Sequence, residues 1–124
     1  MAQGRGISAI MMMMLFCVSV ISFRMAHATT FVVGDAAGWT FNISNWPSGK
    51  TFKAGDILEF KYDPSHHNVV IVDEAGYKSC VDSGKSKKFQ SGHDQIKLVK
   101  GSNYFICTFP GHCQLEMKIA VNAE

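Results

Sequence analysis

Arginine is almost missing from this chain. Its 124 residues include only Arg5 and Arg24, both near the start, and the other ten cations are lysines. Twelve basic residues against ten acidic give a formal charge of +2. There is no polybasic tract, which argues against nucleic acid as a partner. Proline is scarce at three residues. Repeats, low-complexity tracts and linkers are absent, so one domain is expected. A long amphipathic helical pattern is absent too, which argues against a helical fold. Disorder is excluded by what is plentiful: 47% hydrophobic residues, with nine Phe, three Tyr and two Trp.

One long apolar run, Ile7 to Phe23, follows Arg5 and ends before Arg24 and the small residues of Ala26-His27-Ala28. A basic start, an apolar middle and an A-x-A site describe a secretory signal peptide over residues 1–28, cleaved after Ala28. The rival is an uncleaved anchor, but Ser8, Ser19 and Ser22 interrupt the run and it is short for a span. No second apolar stretch follows, so no lipid-anchor tail is expected. The product is expected to be secreted, extracellular and without a membrane anchor.

Cleavage would remove both arginines, six of seven methionines and Cys17. The domain over 29–124 keeps Met117, Cys80, Cys107 and Cys113, with ten lysines balancing ten acids. A chain this short buries only about 60–70% of its unfolded surface, so an extra staple would help. Asn42-Ile43-Ser44 is a sequon, which makes Asn42 a candidate glycosylation site.

Short apolar segments separated by turn residues every 8–12 positions indicate an all-β sandwich or barrel. Strands are expected at Thr30–Val33, Asp56–Tyr62, Asn68–Asp73, Gln95–Val99, Asn103–Cys107 and Met117–Val121. In the second, Leu58, Phe60 and Tyr62 alternate with Glu59 and Lys61. The third, rich in β-branched residues, reads as buried on both faces. Ala75-Gly76 reads as a turn. Gly34–Ser48 has room for a short helix. Lys85, Lys87 and Lys88 suit a turn or a solvated edge strand.

The chemistry concentrates in Cys107–Met117, which reads as C-x4-H-x4-M on Cys107, His112 and Met117. Two strands meeting at its ends, with Pro110-Gly111 bending between them, would gather a thiolate, an imidazole and a thioether. Ser65-His66-His67-Asn68 offers a second imidazole, from either histidine. One thiolate, two imidazoles and a weak axial Met are the donor set of a blue-copper electron-transfer site. Taken singly, each residue has a plainer role: Cys and Met as core filler, His as a solvated turn residue. Their joint spacing is what points to metal. Zinc is disfavoured because it rarely recruits Met. A thiol enzyme built on Cys107 and His112 would lack an orienting third group and leave Met117 without a role.

Three cysteines in a secreted domain leave one unpaired, and residues alone permit all three pairings. Cys80–Cys113 is the expected bridge. It would close a loop of about 34 residues, stabilise the fold by roughly 3–4 kcal/mol and pin the loop carrying His112.

Several segments carry a resemblance: Gly38-Trp39-Thr40-Phe41-Asn42, Phe52–Asp56, Pro64–Val70, Ser91–Ile96 and Tyr104–Cys113. On these the chain resembles the phytocyanins, the plant blue-copper branch of the cupredoxins, and within them the plantacyanin type. The resemblance spans essentially all of 29–124. It implies a cupredoxin-like Greek-key β-sandwich with one or two short helices. It implies one type 1 copper ion on His67, Cys107, His112 and Met117, and the same Cys80–Cys113 bridge. It takes the ligand to be His67, the histidine directly before Asn-Val, and gives Asn68 the role of tying its own loop to the one after Cys107. Met117 in place of Gln separates the chain from stellacyanin-like members. One departure is Leu115-Glu116, where the family commonly has a small residue such as Gly before the axial Met. A carboxylate there would favour Cu(II).

The function expected is a secreted electron carrier, not an enzyme, cycling Cu(II)/Cu(I) as a monomer in the extracellular space or cell wall. Its redox partner would be a small molecule or an extracellular protein. The second reading is a cell-wall signalling or binding protein in which copper is secondary.

Overall fold

The computed structural model describes residues 27–124. Residues 1–26 of the expected leader lie outside the described residues.

Seven strands form two sheets. The first sheet holds β1 (Thr30–Val32), β2 (Ile57–Lys61) and β5 (His93–Lys97). β1 runs parallel to β2, and β5 antiparallel to it. The second is ordered β4 (Lys87–Phe89), β3 (Val69–Val72), β6 (Gly101–Ile106), β7 (Lys118–Ala123), all antiparallel. The chain crosses between sheets after β2, β4 and β5, which makes the expected all-β sandwich.

Alternation decides what lies between the sheets. Leu58 and Phe60 of β2 point inward and are buried, while Glu59 and Lys61 lie on the outer face. Phe60 meets Phe105 of β6 across the gap, ring centres 5.2 Å apart, and Trp39 stands edge-on to Phe60 at 5.1 Å. Offset and edge-on aromatic pairs of this kind add about 0.5–1.5 kcal/mol each beyond their buried area.

β3 begins as a two-faced strand. Val69 joins this main core, whereas Val70 belongs to a second cluster with Ile106 and Cys113, packed against Tyr77 and Cys80. A short helix, α1 (Glu74–Ser79), covers that outer face. It corrects the turn expected at Ala75-Gly76. The Asp73 carboxylate caps α1 by accepting from the Gly76 N–H at 2.8 Å. A Cβ on Gly76 would lie 2.9 Å from the Val72 Cβ and the Val81 carbonyl oxygen, so glycine serves close packing here. The short helix expected in Gly34–Ser48 is a 3-10 turn at Asp35–Ala37.

β5 starts and ends two residues earlier than expected. Its start follows from the pairing of His93 with Lys61, and its end is set by the buried Asn103 side chain. It accepts from the Val99 N–H at 3.1 Å and donates to the Val99 and Gly101 carbonyls at 2.8 and 3.0 Å. Val99 is thereby drawn into a turn and exposed. Lys87 and Lys88 lie on the edge strand β4.

Candidate metal centre

Three chain segments converge at one end of the four-stranded sheet. The β6–β7 register pairs Ile106 with Lys118, so Cys107 and Met117 follow side by side, and the Cys107 N–H donates to the Met117 carbonyl at 3.1 Å. The β3–β6 register pairs Val70 with Ile106, which brings His67-Asn68 over Cys107-Thr108. Between Cys107 and Met117 the chain turns at Gly111 (φ +81°). The His112 N–H donates to the Phe109 carbonyl at 3.1 Å, and the His112 carbonyl accepts from Met117 at 3.2 Å.

His67, Cys107 and His112 meet there. The two histidine Nδ1 atoms are 3.1 Å apart, and the Cys107 Sγ is 3.5 Å from the His112 Nδ1. All three donor atoms lie within 4.8 Å of one another. Nitrogens about 2.0 Å and a sulfur about 2.3 Å from one ion would be separated by similar distances at angles of roughly 100–110°. Cys107 is buried and outside any disulfide, and both imidazoles are half-buried. Met117 is fully buried in the same core cluster as Cys107. This donor set of two imidazoles, one thiol and a neighbouring thioether fits a single type 1 copper site.

Burial, then the neighbouring His112, lowers the pKa of His67 and favours the neutral ring that a metal needs. Burial pushes the Cys107 thiol up, opposed in smaller measure by the backbone at Asn68 and Phe109. The metal-free thiol is therefore held protonated, and binding a cation must displace that proton.

Around the donors the loops are tied. Asn68 donates from Nδ2 to the Thr108 Oγ1 at 2.8 Å and accepts at Oδ1 from the Thr108 N–H at 2.8 Å. Its carbonyl accepts from the Trp39 indole at 2.9 Å. Cys80 and Cys113 form the expected disulfide, which anchors the residue after His112 to the end of α1. Of the two adjacent histidines, His67 is in the donor cluster. His66 is exposed and pairs with Asp63 at 3.2 Å. His93 stands exposed on β5 against Glu59, away from the cluster. Glu116 sits in the left-handed region at φ +62°, which suits the family's usual glycine at this place. It is exposed, and the Tyr77 phenol on the α1 side is raised by burial first and by the Glu116 charge second. Asn42 is exposed in a left-handed turn.

The sequence assigned no role to two aromatic residues of this site. Phe41 stands edge-on to both imidazoles, 5.6 Å from His67 and 4.8 Å from His112, and Phe109 stacks on His112 at 5.7 Å. With Ser65 and His66 they line an open cleft of about 370 Å³ over the two ligand histidines. No periodicity marks Phe41, because it lies in a turn. Phe109, close to Pro110-Gly111, could have been suspected from the loop alone.

A family model for the plastocyanin-like domain matches residues 36–117. The chain is 51% identical over 125 residues to chemocyanin of the lily Lilium longiflorum, covering 99% of each. It is 59% identical over 93 residues to the basic blue protein of cucumber, Cucumis sativus, covering 75% of this chain and 97% of that one. The solved structure of cucumber basic protein, a blue copper protein, superposes with a TM-score of 0.77 at 58% identity, over 77% of this chain and all of that one. Fold, donor cluster and relatives agree: this chain belongs to the phytocyanins, the plastocyanin-like family of blue copper proteins.

Proposed function

We propose that this protein is a secreted one-electron carrier, in which His67, Cys107 and His112 would hold copper and Met117 would supply a weaker fourth donor. The approach of two imidazoles and one buried thiol to within 4.8 Å of one another carries this reading. When bound, copper supplies a one-electron couple. The protein supplies a frame that holds its donors still. Asn68 locks the two loops together, and the disulfide fixes the residue beside His112. Donors held this way suit both oxidation states, so little rearrangement accompanies transfer.

The cleft over His67 and His112 is the route for exchange with a small molecule or an extracellular protein. No bond-making step is assigned to the site, because its donors are committed to the metal. Among the described residues, no helix is long and apolar enough to cross a membrane. One contact supports processing after Ala28. The Thr29 N–H donates at 2.9 Å to the buried carboxylate of Asp56. Cleavage would turn that amide into an ammonium group facing an anion.

Copper(II) added to the metal-free protein is expected to raise an intense thiolate-to-copper absorption. Cys107→Ser should abolish it, and Met117→Gln should keep the colour while shifting the potential. A colourless wild-type protein with copper bound would overturn the assignment.

A further inference from the structure

The sequon Asn42-Ile43-Ser44 lies beside the proposed electron-exchange face. Phe41, the residue before it, is 37% exposed and touches both ligand histidines. The Asn42 N–H donates to the Leu115 carbonyl at 3.1 Å, and the Leu115 N–H in turn donates to the His112 carbonyl at 3.0 Å. Leu115 is itself 59% exposed. Asn42 therefore sits between Phe41, which lines the cleft, and the exposed Leu115, one residue from the ring that covers His112. It occupies a left-handed turn (φ +55°), a conformation asparagine tolerates better than most residues. Its exposed position allows a large substituent without disturbing the core, because only the next residue, Ile43, is buried.

From this placement we propose that Asn42 carries an N-linked glycan that screens the electron-exchange face from protein partners while leaving the cleft open to small redox molecules. The inference rests on the electron-carrier reading for the identity of that face. A branched glycan is bulky and hydrated. Anchored at the rim, it sweeps the area that a protein must cover to bring its own redox centre near His112. A molecule small enough to enter the cleft of about 370 Å³ passes beneath it. The glycan would also shield Phe41 and Leu115, whose exposure together would otherwise invite non-specific association.

The experiment uses the full chain, secreted from a plant or insect host and loaded with copper, beside Ser44→Ala. That variant removes the sequon and leaves Asn42 in its turn. Intact mass before and after N-glycosidase treatment reads occupancy without reference to copper. Electron exchange is then timed with cytochrome c and with hexacyanoferrate. The expected result is a glycan on the wild type only. Exchange with cytochrome c should be about tenfold faster in Ser44→Ala, within the range over which association rates vary among related interfaces. Exchange with hexacyanoferrate should be equal in the two. A wild type without glycan, or a glycosylated one whose rate with cytochrome c matches the variant's, overturns the proposal. The absorption band reports copper separately, so failure of the electron-carrier reading is distinguishable from failure of this one.

Discussion

Strand β6 ends in two loops of opposite character, and each is organised by one buried asparagine. Asn103, near the strand's start, bonds at 2.8–3.1 Å to Val99 and Gly101, within four residues, and makes one longer contact of 3.5 Å to the Val121 carbonyl, 18 positions on. Asn68 acts beyond the strand's other end and joins Thr108, 40 positions away. Both side chains are equally buried. The first shapes a turn that carries no chemistry. The second holds together two loops whose other residues are the metal donors. Equal burial and similar hydrogen bonding thus serve local folding at one end and site geometry at the other. What separates them is the sequence distance bridged.

The comparison can be broken from both sides. The largest effect is expected from the site end's covalent tie. Replacing Cys80 and Cys113 together by Ala should lower stability by roughly 3–4 kcal/mol, read by denaturant unfolding of the metal-free protein. Copper uptake should persist, since neither cysteine is in the donor cluster. Next come the asparagines. Asn68→Ala and Asn103→Ala should each cost about 1–3 kcal/mol, because buried partners lose their hydrogen bonds. Only Asn68→Ala should change the copper absorption and its EPR spectrum. A spectral change of the same size in Asn103→Ala would show that the two ends are not independent.

A smaller, opposite effect is expected at Glu116, where a side chain occupies the left-handed region at φ +62°. Glu116→Gly should raise stability by up to about 1 kcal/mol by removing that strain. The smallest effect lies away from both ends. The Lys88 ammonium, with help from Ser86 and the Gly84 N–H, lowers the Asp82 carboxyl to about 2. A carboxyl depressed in the folded state stabilises it above the unfolded value and loses that contribution as pH falls through the folded one. Asp82→Asn should therefore flatten the stability curve between about pH 4 and 2, the variant being slightly less stable than wild type at neutral pH and converging with it below about pH 2.

Much of the frame was legible in residue order because its causes are local. Leu58 and Phe60 alternate with Glu59 and Lys61, and the pleat converts that alternation into an inner and an outer face. Six strands could be placed this way, within a residue or two at their ends. The exceptions are instructive. Gly76 looked like a turn because glycine usually marks one. It lies in a helix because α1 packs too close to Val72 for a larger residue. Strand β5 was placed two residues late because its end is set by Asn103, which belongs to the following strand. The site was legible as a set of candidates. Spacing singled out Cys107, His112 and Met117, but residues alone did not choose between His66 and His67 or among three cysteine pairings.

By itself the sequence determined the inward faces of the strands and the supply of soft donors on either side of a bend. Both follow from spacing along the chain. Only the tertiary structure decided which imidazole turns toward the thiol, that Cys80 meets Cys113, and that Phe41 covers the two histidines. Those outcomes depend on the registers of β3, β6 and β7, which bring residues 40 positions apart into hydrogen-bond range, and no local pattern records such a distance.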